Sequence, residues 1–208
     1  MALEFIQRGE LVRIENFKPQ TMLLDYLRLQ EKSKGTKEGC NEGDCGACTV
    51  VLGTPENGQM RYQAVNACIL MLGQIHGKEL ITVDDLASDG ELHPVQKAMV
   101  ENHASQCGFC TPGFVMSLFS LAHQKGMVDR KSVVDQIAGN LCRCTGYRPI
   151  IEAGISACQS ADDHWSKAQS ATAKILNSID QDLFIGDETS FCAAPSTAYK
   201  LAAVCALH

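Results

Sequence analysis

The rhythm of apolar and polar residues changes twice along this chain. Residues 3 to 15 form two short extended runs, around Leu3 to Arg8 and Leu11 to Glu15, separated by Gly9-Glu10, which predicts a hairpin. After Pro19, Thr21 is placed to cap a helix through Gln30, with Leu23, Leu24 and Leu27 as its inward stripe and Gly35 as its stop. Residues 39 to 48 hold too much glycine for regular structure. Thr49 to Leu52, Arg61 to Val65 and Leu80 to Val83 are β-prone, with turn residues from Pro55 to Gly58 between the first two. A first, α+β domain therefore spans residues 1–84.

Beyond it the periodicity is helical. Pro94 suits the first position of a helix from Val95 to about His103, carrying Val95, Ala98 and Met99 inward. A second helix starts at Pro112, and Phe114, Val115, Leu118, Phe119 and Leu121 cover so much of its circumference that it belongs at the centre of a small bundle. A third helix is predicted from Lys131 to Ala138, stopping at Gly139-Asn140, and a fourth from Pro149 to Cys158, so a helical domain occupies residues 85–160. Residues 161–189 are polar, with one helix-prone stretch, and read as a linker. From residue 190 to 208 apolar character returns, with a strand-like start, a break at Pro195-Ser196-Thr197 and a helix from Ala198 to Leu207.

With 208 residues and 45% hydrophobic composition, the chain can fold without disulfides. Its net charge of -6 leaves no basic patch to neutralise phosphates, which argues against nucleic acid as a partner. The N-terminus has neither a signal-peptide core nor twin arginines, and no apolar run reaches membrane-spanning length. The expected location is the cytoplasm, with no membrane partner. In that reducing compartment the eleven cysteines are better read as metal ligands or catalytic thiols than as disulfides.

Eight of them form two sets. Cys40, Cys45, Cys48 and Cys68 follow C-x4-C-x2-C-x19-C, and Cys107, Cys110, Cys142 and Cys144 follow C-x2-C-x31-C-x-C. Each set has the four thiolates that a [2Fe-2S] cluster needs, and the first has the plant-type ferredoxin spacing. Around it, Gly39, Gly43, Gly46 and Ala47 let the backbone close on anionic sulfur with its N–H groups. In the second set Cys107 and Cys110 precede a helix start, where free N–H groups favour anionic ligands. The pair Cys142 and Cys144 can face one way from an extended segment. Four thiolates also bind zinc. The glycine-rich C-x4-C-x2-C loop argues against zinc at the first set; spacing alone leaves it a real alternative at the second.

These segments, together with Gly35-Thr36-Lys37-Glu38-Gly39-Cys40 and Leu92-His93-Pro94-Val95-Gln96, resemble the iron-sulfur portion of the molybdenum hydroxylase (xanthine dehydrogenase) family, most nearly the bacterial small subunits. The likeness runs over about residues 3 to 160. It implies a plant-ferredoxin-like β-grasp domain followed by an all-α four-helix domain, each holding one [2Fe-2S] cluster. It further implies that electrons pass from a molybdenum-pterin centre on a large subunit, through the cluster of Cys107, Cys110, Cys142 and Cys144, then that of Cys40, Cys45, Cys48 and Cys68, to FAD. Gln106 and Cys144 match the family's pterin contacts. Substrate hydroxylation, with water as the oxygen source, takes place on the large subunit, so no catalytic residue is expected here.

His93 and His103 read as packing or capping residues, and Cys158, Cys192 and Cys205 as small apolar side chains. Residues 190–208 resemble the incomplete start of a flavin-binding domain. The expected assembly is a hetero-oligomer with a molybdenum-binding large subunit and an FAD-binding domain or subunit. Purine hydroxylation is the first expectation. Aldehyde or N-heterocycle hydroxylation, and a free-standing two-cluster carrier, are the alternatives.

Overall fold

The structure, a computed structural model, describes residues 2–88, 90–124, 126–158, 163–186 and 191–194. Strands β1 (Leu3–Gln7) and β2 (Glu10–Ile14) form the expected hairpin. Strands β3 (Thr49–Glu56) and β4 (Gln59–Asn66) form a longer one across Asn57-Gly58, whose φ values of 51° and 77° suit a two-residue turn matched to strand twist. Strand β5 (Glu79–Ile81) lies parallel to β1 and antiparallel to β3, giving the order β2-β1-β5-β3-β4. With a helix on one face, this is the ferredoxin-like half of an α+β fold.

That helix is shorter and wound differently from the one expected. Helix α1 (Leu23–Asp25) passes directly into a π-helical turn, Tyr26–Gln30. Thr21 does not cap it. The Thr21 carbonyl accepts the Leu72 N–H at 2.8 Å and Met22 bridges Met71, so the preceding backbone is already held as extended chain.

Alternation along the strands divides the core. Leu3, Phe5, Val50, Leu52 and Leu80 pack with Leu23, Leu24 and Leu27 on the α1 side. Ile6, Val51, Met60, Tyr62 and Ile81 face the opposite way and join the core of the helices α2 (Pro94–Glu101), α3 (Thr111–Ala122), α4 (Arg130–Gln136) and α5 (Arg148–Ala157). Helix α3 is buried from Gly113 to Leu121, as its all-round apolar sequence requires. Each of its buried Phe and Leu side chains stabilises the fold by roughly 1.5–3 kcal/mol. The sheet and the helices thus share one core.

The segment expected as a linker folds onto the same body. Asp163 caps helix α6 (His164–Ser178) by accepting the Ser166 N–H at 2.8 Å, and Trp165, Thr172, Ala173 and Leu176 are buried on one helical face. That face meets β1, β3 and β4. Its polar composition conceals the stripe, because four inward positions suffice for a helix that only lies across a sheet. Strands β6 (Leu183–Gly186) and β7 (Phe191–Ala194) then pair as a hairpin, with Leu183 packed into the α1-side core. The helix expected from Ala198 to Leu207, and Cys205, lie outside the described residues. So does the break at Pro195-Ser196-Thr197.

Asp163 also joins α6 to the helices. Its carboxylate lies 2.8 Å from His93 Nε2 and 2.9 Å from His123 Nε2, with all three side chains at most 5% exposed. His93 Nδ1 accepts the Val95 N–H, so His93 caps α2 through one nitrogen and donates to Asp163 through the other. His123 lies between the Phe119 carbonyl, 2.8 Å from Nδ1, and the Asp163 carboxylate, 2.9 Å from Nε2. Burial pushes the Asp163 carboxyl upward, but the bonds from His123 and His93 outweigh it and hold the group well below the usual carboxylate range. Among the described residues no helix is long and apolar enough to cross a membrane.

Candidate iron-sulfur centres

The loop before β3 holds the first cysteine set. Its turns use left-handed backbone at Asn41, Gly43 and Gly46, with φ of 59°, 89° and 68°. Those turns aim main-chain donors at sulfur: Cys40 Sγ accepts the N–H groups of Asp44 and Cys45, and Cys45 Sγ accepts the N–H of Cys40, all at 3.3 Å. Gly39 is needed for space, since a Cβ there would stand 2.7 Å from Cys45 Sγ. Asn66 Nδ2 donates to the Gly43 carbonyl at 2.6 Å, tying the loop to the end of β4. Cys48 and Cys68 are buried beneath it.

Each thiol is tuned by this setting. The Glu42 N–H, with that of Cys45, lowers the Cys40 thiol to about 6. Burial raises that of Cys48 to about 12. Cys40 and Cys45 adjoin, each sulfur meeting the other residue's N–H, and the Ala67 N–H on the Cys48 carbonyl brings Cys68 beside Cys48. The four thiols therefore lie as two pairs.

The second set lies at helix junctions. Cys110 immediately precedes α3 and is half-buried, as is Cys142; Cys107 and Cys144 are exposed. Here too the thiols pair, Cys107 with Cys144 and Cys110 with Cys142. The donors are different. The Thr145 hydroxyl lies 3.1 Å from Cys142 Sγ, and the Tyr147 hydroxyl accepts the Cys142 N–H at 2.8 Å. Burial raises the Cys142 thiol, but the Thr145 hydroxyl and N–H reverse that and leave it lowered. Burial raises that of Cys110 to about 12. Gln106 is exposed beside Cys107.

The two loops touch. The Leu141 N–H, one residue before Cys142, donates to the Cys45 carbonyl at 2.9 Å. Asn140 is buried in the same seam, where its amide reaches Gly46 and Thr49 on one side and Ser117 on the other. The spacing rules mark Asn140 only as a helix stop. Likewise His123 and Asp163 carry no sequence signal, because their partners lie far along the chain.

Among the described residues, no group of three or more His, Cys, Asp or Glu side chains is arranged to hold one metal ion. Four thiols in two pairs fit the donor set a [2Fe-2S] centre would need, and the N–H and hydroxyl donors would suit its negative charge. Fold and thiol geometry together define a two-module protein of the iron-sulfur class.

Comparison with known proteins agrees. Residues 5–72 match the family of 2Fe-2S iron-sulfur cluster binding domains, and residues 82–154 match the [2Fe-2S] binding domain family. These matches favour iron-sulfur over zinc at both sets. Xanthine dehydrogenase of Blastobotrys adeninivorans is 47% identical over 154 residues, which are 73% of this chain and 11% of that protein. Among solved structures, quinoline 2-oxidoreductase of Pseudomonas putida 86 has a chain that is 31% identical with a TM-score of 0.63, covering 84% of this chain and 96% of that one. Aldehyde oxidoreductase of Desulfovibrio desulfuricans ATCC 27774 is 35% identical with a TM-score of 0.66, over 76% of this chain and 17% of that one. The chain belongs to the molybdenum hydroxylase family, as its iron-sulfur portion. It spans 11–12% of the length of the curated relatives it matches.

Proposed function

We propose that this chain is the iron-sulfur electron-transfer component of a xanthine dehydrogenase-type molybdenum hydroxylase. Cys40, Cys45, Cys48 and Cys68 hold one [2Fe-2S] centre, and Cys107, Cys110, Cys142 and Cys144 the other. The observation that carries this reading is that each set of four cysteines falls within its own matched 2Fe-2S binding family, residues 5–72 and 82–154. A centre bound at each set supplies one-electron uptake and release.

The two sets differ in exposure, which supports a direction of transfer along the chain. Cys107, Cys144 and Gln106 are exposed and suit contact with a molybdenum-pterin group on a large subunit, while the first set leads toward FAD on a flavin-binding part. The chain's own residues position the thiols, exclude water from the seam and supply hydrogen bonds to sulfur. No residue here acts as acid or base on substrate. We infer a cytoplasmic hetero-oligomer that hydroxylates purines, hypoxanthine and xanthine to urate; the name of the matched xanthine dehydrogenase supports the substrate class alone. The matched aldehyde and quinoline oxidoreductases favour a second reading, in which the substrate is an aldehyde or an N-heterocycle.

Iron, acid-labile sulfide and zinc should be measured on the purified chain, together with the Cys142→Ser variant. Two [2Fe-2S] centres give four irons and four sulfides, and Cys142→Ser should lose one spectroscopic signal and keep the other. Stoichiometric zinc, or loss of neither signal, sinks the ligand assignment. Recovery of the chain without affinity for a molybdenum-binding subunit would favour a free-standing carrier, and assay of the assembled complex with hypoxanthine and with aldehydes separates the substrate readings.

A further inference from the structure

Asn140 belongs to neither cysteine set, yet its amide is wholly engaged in joining them. It is 4% exposed. Nδ2 donates to the Gly46 carbonyl at 2.9 Å and to Thr49 Oγ1 at 3.1 Å, and Oδ1 accepts the Ser117 hydroxyl at 2.6 Å. Gly46 lies between Cys45 and Cys48, Thr49 opens β3, and Ser117 is on α3, which follows Cys110. Thr49 Oγ1 donates to the same Gly46 carbonyl at 2.7 Å, which leaves its lone pairs free for Asn140. The side-chain polar atoms of Asn140, Thr49 and Ser117 are therefore all hydrogen-bonded to one another or to the Gly46 carbonyl. A buried network of that kind fixes position as well as adding stability.

The backbones around it meet more closely than side chains permit. A Cβ on Gly46 would stand 2.4 Å from the Gly139 carbonyl oxygen, and one on Gly113 would stand 2.2 Å from the Gly46 oxygen. The contact that results is the Leu141 N–H on the Cys45 carbonyl, which links the backbone of a first-set cysteine to the residue before a second-set cysteine. Asn140, Thr49 and Ser117 are neither ligands nor acids, so the consequence of their network is distance.

We propose that Asn140 is a positioning residue for electron transfer: by fixing Gly46 and Thr49 against Ser117 it holds the Cys45 carbonyl on the Leu141 N–H, and so sets the spacing and electronic coupling of the two centres. This rests on the two-centre reading above. In the transfer, one electron leaves the centre held by Cys142 and its partners, which is oxidised by one, and enters the centre held by Cys45 and its partners, which is reduced by one. No proton or bond moves, and Asn140 acts only through the geometry it maintains.

Asn140→Asp is the discriminating variant. It is isosteric and keeps the acceptor for Ser117, but it places a carboxylate oxygen where an N–H met the Gly46 carbonyl. In the full chain carrying both centres, fully reduced and frozen, the parent should show magnetic splitting of each electron paramagnetic resonance signal by the other. Asn140→Asp should keep the full iron and sulfide content and both signals, lose the splitting, and exchange electrons between the centres more slowly after flash reduction. Ser117→Ala should move both readouts the same way by less. Parent-like splitting and exchange in Asn140→Asp overturn the proposal. If Asn140→Asp does not fold, Thr49→Val decides in its place, since it removes one acceptor of Asn140 and keeps a β-branched strand residue: reduced splitting supports the proposal and parent-like splitting overturns it. A parent chain with half the expected iron, or a single signal, defeats the two-centre reading itself. A purely structural loss would lower the melting temperature without altering the splitting.

Discussion

At the first cysteine set the groups that touch sulfur are main-chain N–H groups, those of Cys40, Asp44 and Cys45, and two of the thiols are buried. At the second set Cys142 Sγ meets both the N–H and the hydroxyl of Thr145, a tyrosine hydroxyl holds the Cys142 N–H, and two of the thiols are exposed. Phe109 and Leu141, beside that set, are exposed as well. The first set is shaped by a loop whose donors no substitution can remove without altering the fold. The second adds particular side chains to its main-chain donors and presents an open flank, as a site completed by a partner surface would. One is built for enclosure and the other for contact, yet they meet edge to edge at Cys45 and Leu141.

Glycine substitutions give the sharpest way to break this comparison. Gly46→Ala meets backbone on the opposite loop and sits at φ 68°, so it should destabilise the chain by more than about 3 kcal/mol and disturb both centres together. Gly108→Ala has a similar φ of 82° but open space around it, and should cost only about 1 kcal/mol, confined to the second set. Urea unfolding of both variants, followed alongside cluster absorbance, checks the contrast. Equal effects would mean that the seam is not the close contact described.

A pH test asks whether the two centres stand on one cooperative body. Burial pushes the Glu79 carboxyl up to about 7, against a hydrogen bond from Tyr62 and the nearby His123, and its Oε2 has no partner. A carboxyl raised above its unfolded value of 4.5 leaves stability intact at low pH and removes it as pH rises from about 4.5 to about 7, after which the loss is constant. Glu79→Gln should therefore gain on the order of 3 kcal/mol over the parent at pH 8 and little at pH 4.5. The chain's single tryptophan, Trp165, provides the fluorescence readout. If the core is shared, both cluster chromophores should bleach in the same unfolding transition as the fluorescence change. A gain independent of pH would show that Glu79 is ionised in the fold.

The smallest effect concerns the donors themselves. Thr145→Val removes the hydroxyl beside Cys142 and should lower the potential of the second centre by roughly 40 mV, the equivalent of a hydrogen bond worth ~1 kcal/mol, leaving the first centre unchanged. A potentiometric titration that resolves the two signals measures this, and a shift of both potentials would contradict the separation of their donors.

Much of this was legible in the sequence wherever the signal is local. Turn residues and alternation mark both hairpins, and proline at a helix start together with apolar periodicity marks α2, α3 and α5 to within a residue or two. Cysteine spacing divides the thiols into two sets, and each set falls within one of the two matched 2Fe-2S families. Sequence reasoning failed where a polar residue takes its meaning from a distant one. Thr21 looks like a cap until Leu72 claims its carbonyl, and Asn140 looks like a stop until Gly46, 94 residues away, meets its amide. Residues 163–178 look like a linker because a helix lying across a sheet needs only a narrow apolar stripe.

The two-sided sheet also bears on how the chain emerges from the ribosome. Strand β5 ends at Ile81, whereas α3, which covers that side of the sheet, begins at Thr111. During synthesis Ile6, Val51, Met60, Tyr62 and Ile81 therefore form a finished but bare apolar surface while the first cysteine set is already complete and the second, which starts at Cys107, is still to come. That interval is when a holding chaperone has most to protect, and when iron delivery to the first loop could precede closure of the seam.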